Sequence, residues 1–278
     1  MTTLRRGNLG ADVRELQRLL RTRGATLDLT GEFDDATASA VRAAQSRYGL
    51  VVDGLAGPKT LLALQLDGRQ PGELGADDLR RAAATLDVPL ASVRAVNEIE
   101  SLGLGFLPDR RPVILFERHI MYRQLRAAGH DANALARHYP NIVNPKRGGY
   151  MGKAAEQMRL ARASDIDHAC ALASASWGLF QIMGYHWERL GYASVQDFAD
   201  AMRLGEPQQL DAFVRFVQTD PALHKALKGQ KWVTFASLFN GPAYKDNLYD
   251  VKLARAFARY GAEEGEREQE TKQEQVPA

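Results

Sequence analysis

The stretch Asp67-Gly68-Arg69-Gln70-Pro71-Gly72-Glu73-Leu74-Gly75 interrupts the helical periodicity of this chain and constrains everything on either side of it. It is rich in glycine and polar residues and carries no apolar repeat, so residues 67–75 read as an exposed linker between two modules that fold separately. A length of 278 residues suits such a division, since domains run to roughly 100 to 200 residues and smaller ones are common. Before the break, Leu4, Val13, Leu16, Leu19 and Leu20 form one apolar stripe, Val41, Ala44, Gln45 and Tyr48 a second, and Leu61, Leu62 and Leu64 a third. This predicts a three-helix unit over residues 1–66. Its two connectors resemble each other, with Gly31 six residues before Thr37 and Gly54 six before Thr60. Each glycine supplies a permissive turn, and Asp34 or Pro58 then starts the next helix.

After the break, helical patterns dominate residues 76–262, with one strand expected around Val113 to Phe116 and a long loop near Asn141 to Gly152. The fold class expected is mainly α, a small three-helix module followed by a lysozyme-sized α+β domain. Residues 263–278 hold six of the chain's glutamates counted with Glu263 and Glu264 and almost nothing apolar, which predicts a disordered acidic tail.

Charge and composition exclude several classes. Lysine and arginine total 36 against 34 aspartates and glutamates, a balance unlike that of nucleic-acid or membrane-surface proteins, so neither partner is expected. The single cysteine, Cys170, rules out an internal disulfide and sits in the close-packing run HACALA, where a core role is more natural than that of a peptidase nucleophile. The histidines at 119, 130, 138, 168, 186 and 224 form no HExxH motif and no pair at helical spacing, so no metal site is expected. Gly103-Leu104-Gly105 lacks the third glycine of a dinucleotide fingerprint and follows a helix, and no cofactor is expected either. No run approaches the roughly 18 to 20 apolar residues of a membrane span, and MTTLRRGNLG has no signal-like apolar stretch. The expectation is a soluble monomer made in the cytosol.

One carboxylate stands out. Pro89 opens a helix through LASVRAVNEIES. On its wheel Glu100 falls on the apolar face with Val93 and Val96, whereas Glu98 points to water. Burial among these residues and Leu102, Leu104 and Phe106 would raise the Glu100 pKa, as a general acid at neutral pH requires. The competing reading is a buried glutamate paired with Arg110 or Arg111. Two later segments supply context. Ser174-Ala175-Ser176-Trp177-Gly178-Leu179-Phe180-Gln181 mixes small hydroxyls, a tryptophan and an amide, which suits either a sugar-binding cleft or a core helix. Phe239-Asn240-Gly241-Pro242 ends a helix, with Asn240 as a cap or as a neighbour of the acid.

Glu100-Ser101, Gly178-Leu179-Phe180-Gln181 and Phe239-Asn240-Gly241 resemble, in order, the landmark segments of the goose-type lysozyme and soluble lytic transglycosylase superfamily. More closely, AVNEIESLGLGF, RPVILFERHIMYR, SASWGLFQIMG and SLFNGP are similar to the N-acetylmuramidase domain of modular phage endolysins. The first module resembles the small peptidoglycan-binding domain of wall hydrolases. The resemblance implies that Glu100 protonates the glycosidic oxygen between N-acetylmuramic acid and N-acetylglucosamine. It also implies that Gln181 and Asn240 line the cleft, with Ser101, Ser176 and Trp177 beside them. Phe239 stands where the transglycosylases have a tyrosine. Bacterial peptidoglycan is the partner implied, and an enzyme without an export signal would need a membrane lesion such as a holin to reach it.

Hydrolysis often uses a second carboxylate about 5 to 9.5 Å from the acid. Glu117, at the end of the expected strand, is the candidate; alternatively it pairs with Arg118, His119 or Arg123. Two other functions remain open at this point, a lytic transglycosylase with an anhydro product and a non-catalytic wall-binding protein. Deleting residues 1–70 is expected to weaken retention on purified walls and their lysis more than cleavage of a short soluble glycan, because tethering acts through local concentration. Parallel pull-down and oligosaccharide assays check this.

Overall fold

A computed structural model describes residues 3–101, 104–152 and 154–274, with backbone alone at 242, 243, 246 and 266–274. Internal contacts divide the chain into two compact units, 1–84 and 85–278.

The first unit contains α1 (Ala11–Thr22), α2 (Asp35–Arg47) and α3 (Pro58–Leu66), followed by α4 (Ala76–Leu86), whose last two residues fall in the second unit. Val13, Leu16, Leu20, Phe33, Val41 and Leu64 form the core between the first three. The Asp34 carboxylate caps α2 by accepting the Thr37 amide, and Pro58 opens α3. The repeated connectors have a physical basis that the apolar pattern does not show, a buried glutamine amide under each. The Gln17 amide nitrogen lies 2.9–3.0 Å from Thr30 Oγ1, the Glu32 carbonyl and Thr37 Oγ1, and its oxygen accepts the Gly31 amide. Gln45 repeats this with Asp53, Leu55 and Thr60, and accepts from Gly54. Gly31 and Gly54 turn at φ 75° and 73°, which brings each amide onto its glutamine.

Residues 67–75 differ from the linker expected. Leu74 is buried, Gly75 pairs with Leu50 across a β-bridge, and Arg69 donates to the Gly49 carbonyl. One apolar side chain and one backbone bridge suffice to fold the polar stretch back onto the small module. The division between compact units accordingly falls after Ala84 rather than at the glycines.

The second unit runs α5 (Leu90–Glu100), β1 (Ile114–Phe116), α6 (Arg118–Ala127), α7 (Ala132–His138), α8 (Ala154–Ser164), α9 (His168–Ala173), β2 (Ala175–Trp177) and β3 (Ile182–Met183). Then come α10 (Val195–Leu204), α11 (Glu206–Gln218), α12 (Pro221–Lys228), α13 (Trp232–Asn240) and α14 (Tyr249–Glu274). The strands make one antiparallel sheet in the order β1-β2-β3, with Ile114 opposite Trp177 and Trp177 opposite Ile182. This is the mainly helical α+β architecture that the sequence predicts.

Segment 174–183 is therefore a hairpin and not a helix. Gly178 at φ 70° and Gln181 at φ 50° make the turn, and the Gln181 amide donates 2.8 Å to the Gly178 carbonyl. The space over Gly178 is filled by protein, since a Cβ there would stand 2.4 Å from Gln209 Cδ. From α11, Glu206 accepts the Gly105 amide at 2.9 Å, while Gln209 accepts the Leu179 amide at 2.9 Å and donates to the Gly105 and Met202 carbonyls. Two buried side chains of one helix thus bind the hairpin turn to the loop that follows α5. At the end of β1, buried Glu156 accepts the Phe116 amide at 3.1 Å and pairs with Arg159 at 2.7 Å.

The acidic end of the chain also differs from expectation, because α14 remains helical to Glu274. Glu, Gln, Lys and Arg are good helix formers, and Glu263 and Glu264 pair with buried Arg94 of α5 at 3.1 and 3.4 Å. Residues 275–278 lie outside the described residues.

Replacing Gln209 by the similarly sized leucine leaves a buried N–H and two carbonyls without their partner. A loss of about 2 to 4 kcal/mol in unfolding free energy is expected by urea titration.

Candidate active site

Glu100 is the last residue of α5, where the helix stops as Ser101 turns to extended backbone. Val93 and Val96 of the same helix are buried. Leu104 is 39% exposed and does not wall the carboxyl in, and Leu102 lies outside the described residues. Across from the helix end, Asn240 at the terminus of α13 donates its side-chain amide 2.9 Å to Glu100 Oε1. Burial pushes the Glu100 carboxyl up to about 7, against the smaller opposing effect of the Asn240 hydrogen bond. The arginines that could have neutralised it are engaged elsewhere. Arg111 pairs with Asp109 at 2.6 Å, and the Arg110 guanidinium stands 5.0 Å from the Phe106 ring centre.

The helical wheel placed Glu98 in water, and here the structure corrects it. Glu98 is held by Arg259 and the Tyr260 hydroxyl, because α14 covers that face of α5. Tyr249, in the first turn of α14, is a residue that sequence reasoning missed. Burial, and then the nearby Glu100 charge, raise its phenol pKa, which places the ring within electrostatic reach of the acid. No signal in the sequence marks it, since the two residues are 149 positions apart.

The remaining candidates separate into groups. Ser176 donates to Gln181 Oε1 at 2.8 Å, so these two are neighbours on the hairpin, Ser176 buried and Gln181 half-buried. Ser101 is half-buried beside Glu100. Trp177 is a correction. Only 1% of it is exposed, its indole N–H donates to the Leu172 carbonyl at 3.2 Å, and its ring meets Phe198 edge-on at 6.5 Å. A ring so enclosed presents no face to a pyranose, and Trp177 is core. Phe239 joins an aromatic cluster with Phe213, Phe216 and Phe235 at 5.5 to 5.9 Å, an apolar setting that suits phenylalanine.

Glu117 precedes α6 and is also buried. The Tyr150 hydroxyl lies 3.0 and 2.8 Å from its two oxygens, with His119 Nδ1 at 3.1 Å and Arg147 at 3.5 Å. The structure thus brings Asn240 to Glu100, Gln181 to Ser176, and a polar cluster of its own to Glu117. Cys170 is buried, and its thiol is pushed up to about 12 by burial and by Asp167, which removes the thiolate a nucleophile requires. Among the described residues no group of three or more His, Cys, Asp or Glu side chains is arranged to hold a metal ion, and no helix is long and apolar enough to cross a membrane.

Comparison with known proteins decides the family. The N-acetylmuramidase family model matches residues 89–261, which span α5 and the acid, the sheet, and α13 with Asn240. The chain belongs to the N-acetylmuramidase family. Its fold class and its glycoside hydrolase activity on bacterial peptidoglycan follow from that membership. A peptidoglycan binding domain model matches residues 10–64, the three-helix part of the first unit. The muramidase is similar to the crystal structure of the Burkholderia AP3 phage endolysin, with 59% identity, a TM-score of 0.90, and coverage of 94% of this chain and all of that one. It is also 46% identical over 63 residues to a zinc D-Ala-D-Ala carboxypeptidase of Streptomyces albus G, a match that covers 21% of this chain and 24% of the carboxypeptidase.

The raised Glu100 pKa has a consequence for stability. Below its ordinary value of 4.5 the folded and unfolded chains both hold the proton; between there and about 7 only the folded chain does. Stability contributed by this group is therefore complete at low pH and lost as pH rises through about 7, on the order of 3 kcal/mol at most. Glu100→Gln is expected to raise the urea midpoint relative to the parent at pH 8 and to leave it nearly unchanged at pH 4.

Proposed function

We propose that this muramidase cleaves the β-1,4 bond between N-acetylmuramic acid and N-acetylglucosamine with Glu100 as the general acid. The observation that carries the reading is the half-buried carboxyl on the apolar helix end, with Asn240 on Oε1 and a pKa of about 7. At neutral pH much of it is protonated, and its proton passes to the glycosidic oxygen as the leaving sugar departs. Water adds to the sugar cation and releases its proton to solvent, which leaves a reducing muramic acid end, and the Glu100 carboxylate takes up a proton from solvent to close the cycle. The Asn240 amide fixes the orientation of the carboxyl and carries no proton in the reaction. Gln181 and Ser176 on the hairpin, with Ser101, supply polar contacts to the glycan.

Glu117 has a different part in this reading. Its oxygens are taken up by Tyr150, Arg147 and His119, and it ties the start of α6 to the 147–150 loop. The first unit holds the enzyme on the insoluble wall and raises the concentration of glycan at the second. The chain acts as an endolysin on peptidoglycan of the periplasm or cell wall, a role supported by the likeness to a phage endolysin over 94% of its length.

Digestion of purified peptidoglycan followed by mass spectrometry tests the chemistry. Hydrolysis gives reducing muropeptides, whereas anhydro products lighter by one water would assign a transglycosylase. Glu100→Gln is expected to lose activity by roughly a hundred- to ten-thousandfold, the range for a general acid, and Glu117→Gln by less than about tenfold, because it stands outside the chemistry. Equal losses would move Glu117 into the chemistry. Parent activity should decline as pH rises through about 7, when Glu100 gives up its proton.

A further inference from the structure

We infer that Tyr260 of α14 positions the catalytic helix by binding Arg94 and Glu98 on the back of α5, and so sets the direction in which Glu100 points. The inference rests on the reading of Glu100 as the proton donor and adds Arg94 and Tyr260, which lie outside the motifs that carry the family resemblance.

Arg94 and Glu98 are four residues apart and share one face of α5. Tyr260 is 1% exposed and engages both of them. The Arg94 guanidinium stands 4.0 Å from the centre of its ring, and its hydroxyl donates to Glu98, which also accepts from Arg259. Arg94 is itself 5% exposed and carries Glu263 and Glu264 on its far side at 3.1 and 3.4 Å. These two glutamates lie just beyond residue 261, where the family match ends. Small residues allow the close approach, since Ala91, Ala95 and Ala256 form a core with Tyr260, flanked by Ile99 and Phe257.

Glu100 projects away from that face of the same helix, about 160° around the axis from Glu98 and about 120° from Arg94 at 100° per residue. A helix gripped on its back cannot rotate about its axis without breaking these contacts. Rotation by about 10° would move a carboxylate 5 to 6 Å from the axis by roughly 1 Å, and a displacement of that size can cost about a hundredfold in rate. Tyr260, Arg94 and Glu98 touch no substrate in this scheme and act as positioning residues.

Tyr260→Phe keeps the ring under Arg94 and removes only the hydroxyl donated to Glu98. With a soluble glycan oligomer and at a temperature well below Tm, kcat is expected to fall roughly 5- to 20-fold, within the range for a misplaced group, while KM stays within about twofold. The alkaline limb of the pH–rate profile, which reports Glu100, should shift. Glu98→Ala should reproduce these changes, and Glu98→Gln, which keeps an acceptor for the hydroxyl, should largely restore the parent rate. A Tyr260→Phe enzyme with lower Tm but parent kcat and parent pH limb would overturn the inference and leave Tyr260 a packing residue. If that variant does not fold, the double substitution Glu263→Gln and Glu264→Gln carries the same readouts, with parent values again overturning it. Glu100→Gln in the same assay separates the two levels. Its retained activity would sink the reading of the acid, whereas its loss alongside a parent-like Tyr260→Phe would sink only the positioning role.

Discussion

A carboxyl group removed from water, with an amide hydrogen-bonded to it, is the condition on which the proposed chemistry of this enzyme depends. An arginine at the same distance would hold Glu100 ionised and unable to donate at neutral pH. The arginines that the sequence offered as partners are otherwise engaged, Arg111 with Asp109 and Arg110 over Phe106, while Arg94 and Arg259 meet Tyr260 and Glu98 where α14 covers α5. The Asn240 amide donates a hydrogen bond to Glu100, and its effect on the pKa is smaller than that of burial.

Within each unit the irregular segments are held by polar side chains that have been buried together with their backbone partners. Gln209 and Glu206 bind the hairpin turn and the loop after α5. Glu156 and Arg159 bind the end of β1 through the Phe116 amide and carbonyl. Gln17 and Gln45 do the same for the two connectors of the small module. Each amide or carboxylate meets several backbone groups at once, and leaving any of them unmade in the interior would cost about 1 to 3 kcal/mol. Loops held this way are fixed in shape without needing regular secondary structure.

Much of this arrangement was legible in the chain. The stripe of Val93 and Val96 placed Glu100 on the apolar face of its helix, because helical periodicity depends on local spacing alone. Val113 to Phe116 read as a strand for its apolar run, and Asn240 read as the end of a helix from the Asn-Gly-Pro that begins there. Trp177 misled, since an indole beside small polar residues suits a cleft and a core equally, and it is the Leu172 carbonyl and Phe198 that make it core. Glu98 and the acidic tail misled for a common reason. The wheel of one helix contains no information about a second helix that packs against it, and a polar segment reads as solvated until its partner is known.

Local periodicity and spacing along the chain thus determined the three helices of the first module, the helix that carries Glu100 and the strand near Phe116, and put Glu100 on an apolar helix face. Those properties depend on residues within a few turns of one another. The tertiary structure alone decided that Asn240 meets Glu100, that Gln209 fills the space over Gly178, and that α14 grips the back of α5 through Tyr260. Each of these joins residues 31 to 162 positions apart, and the packing of whole helices, which no local pattern encodes, brings them together.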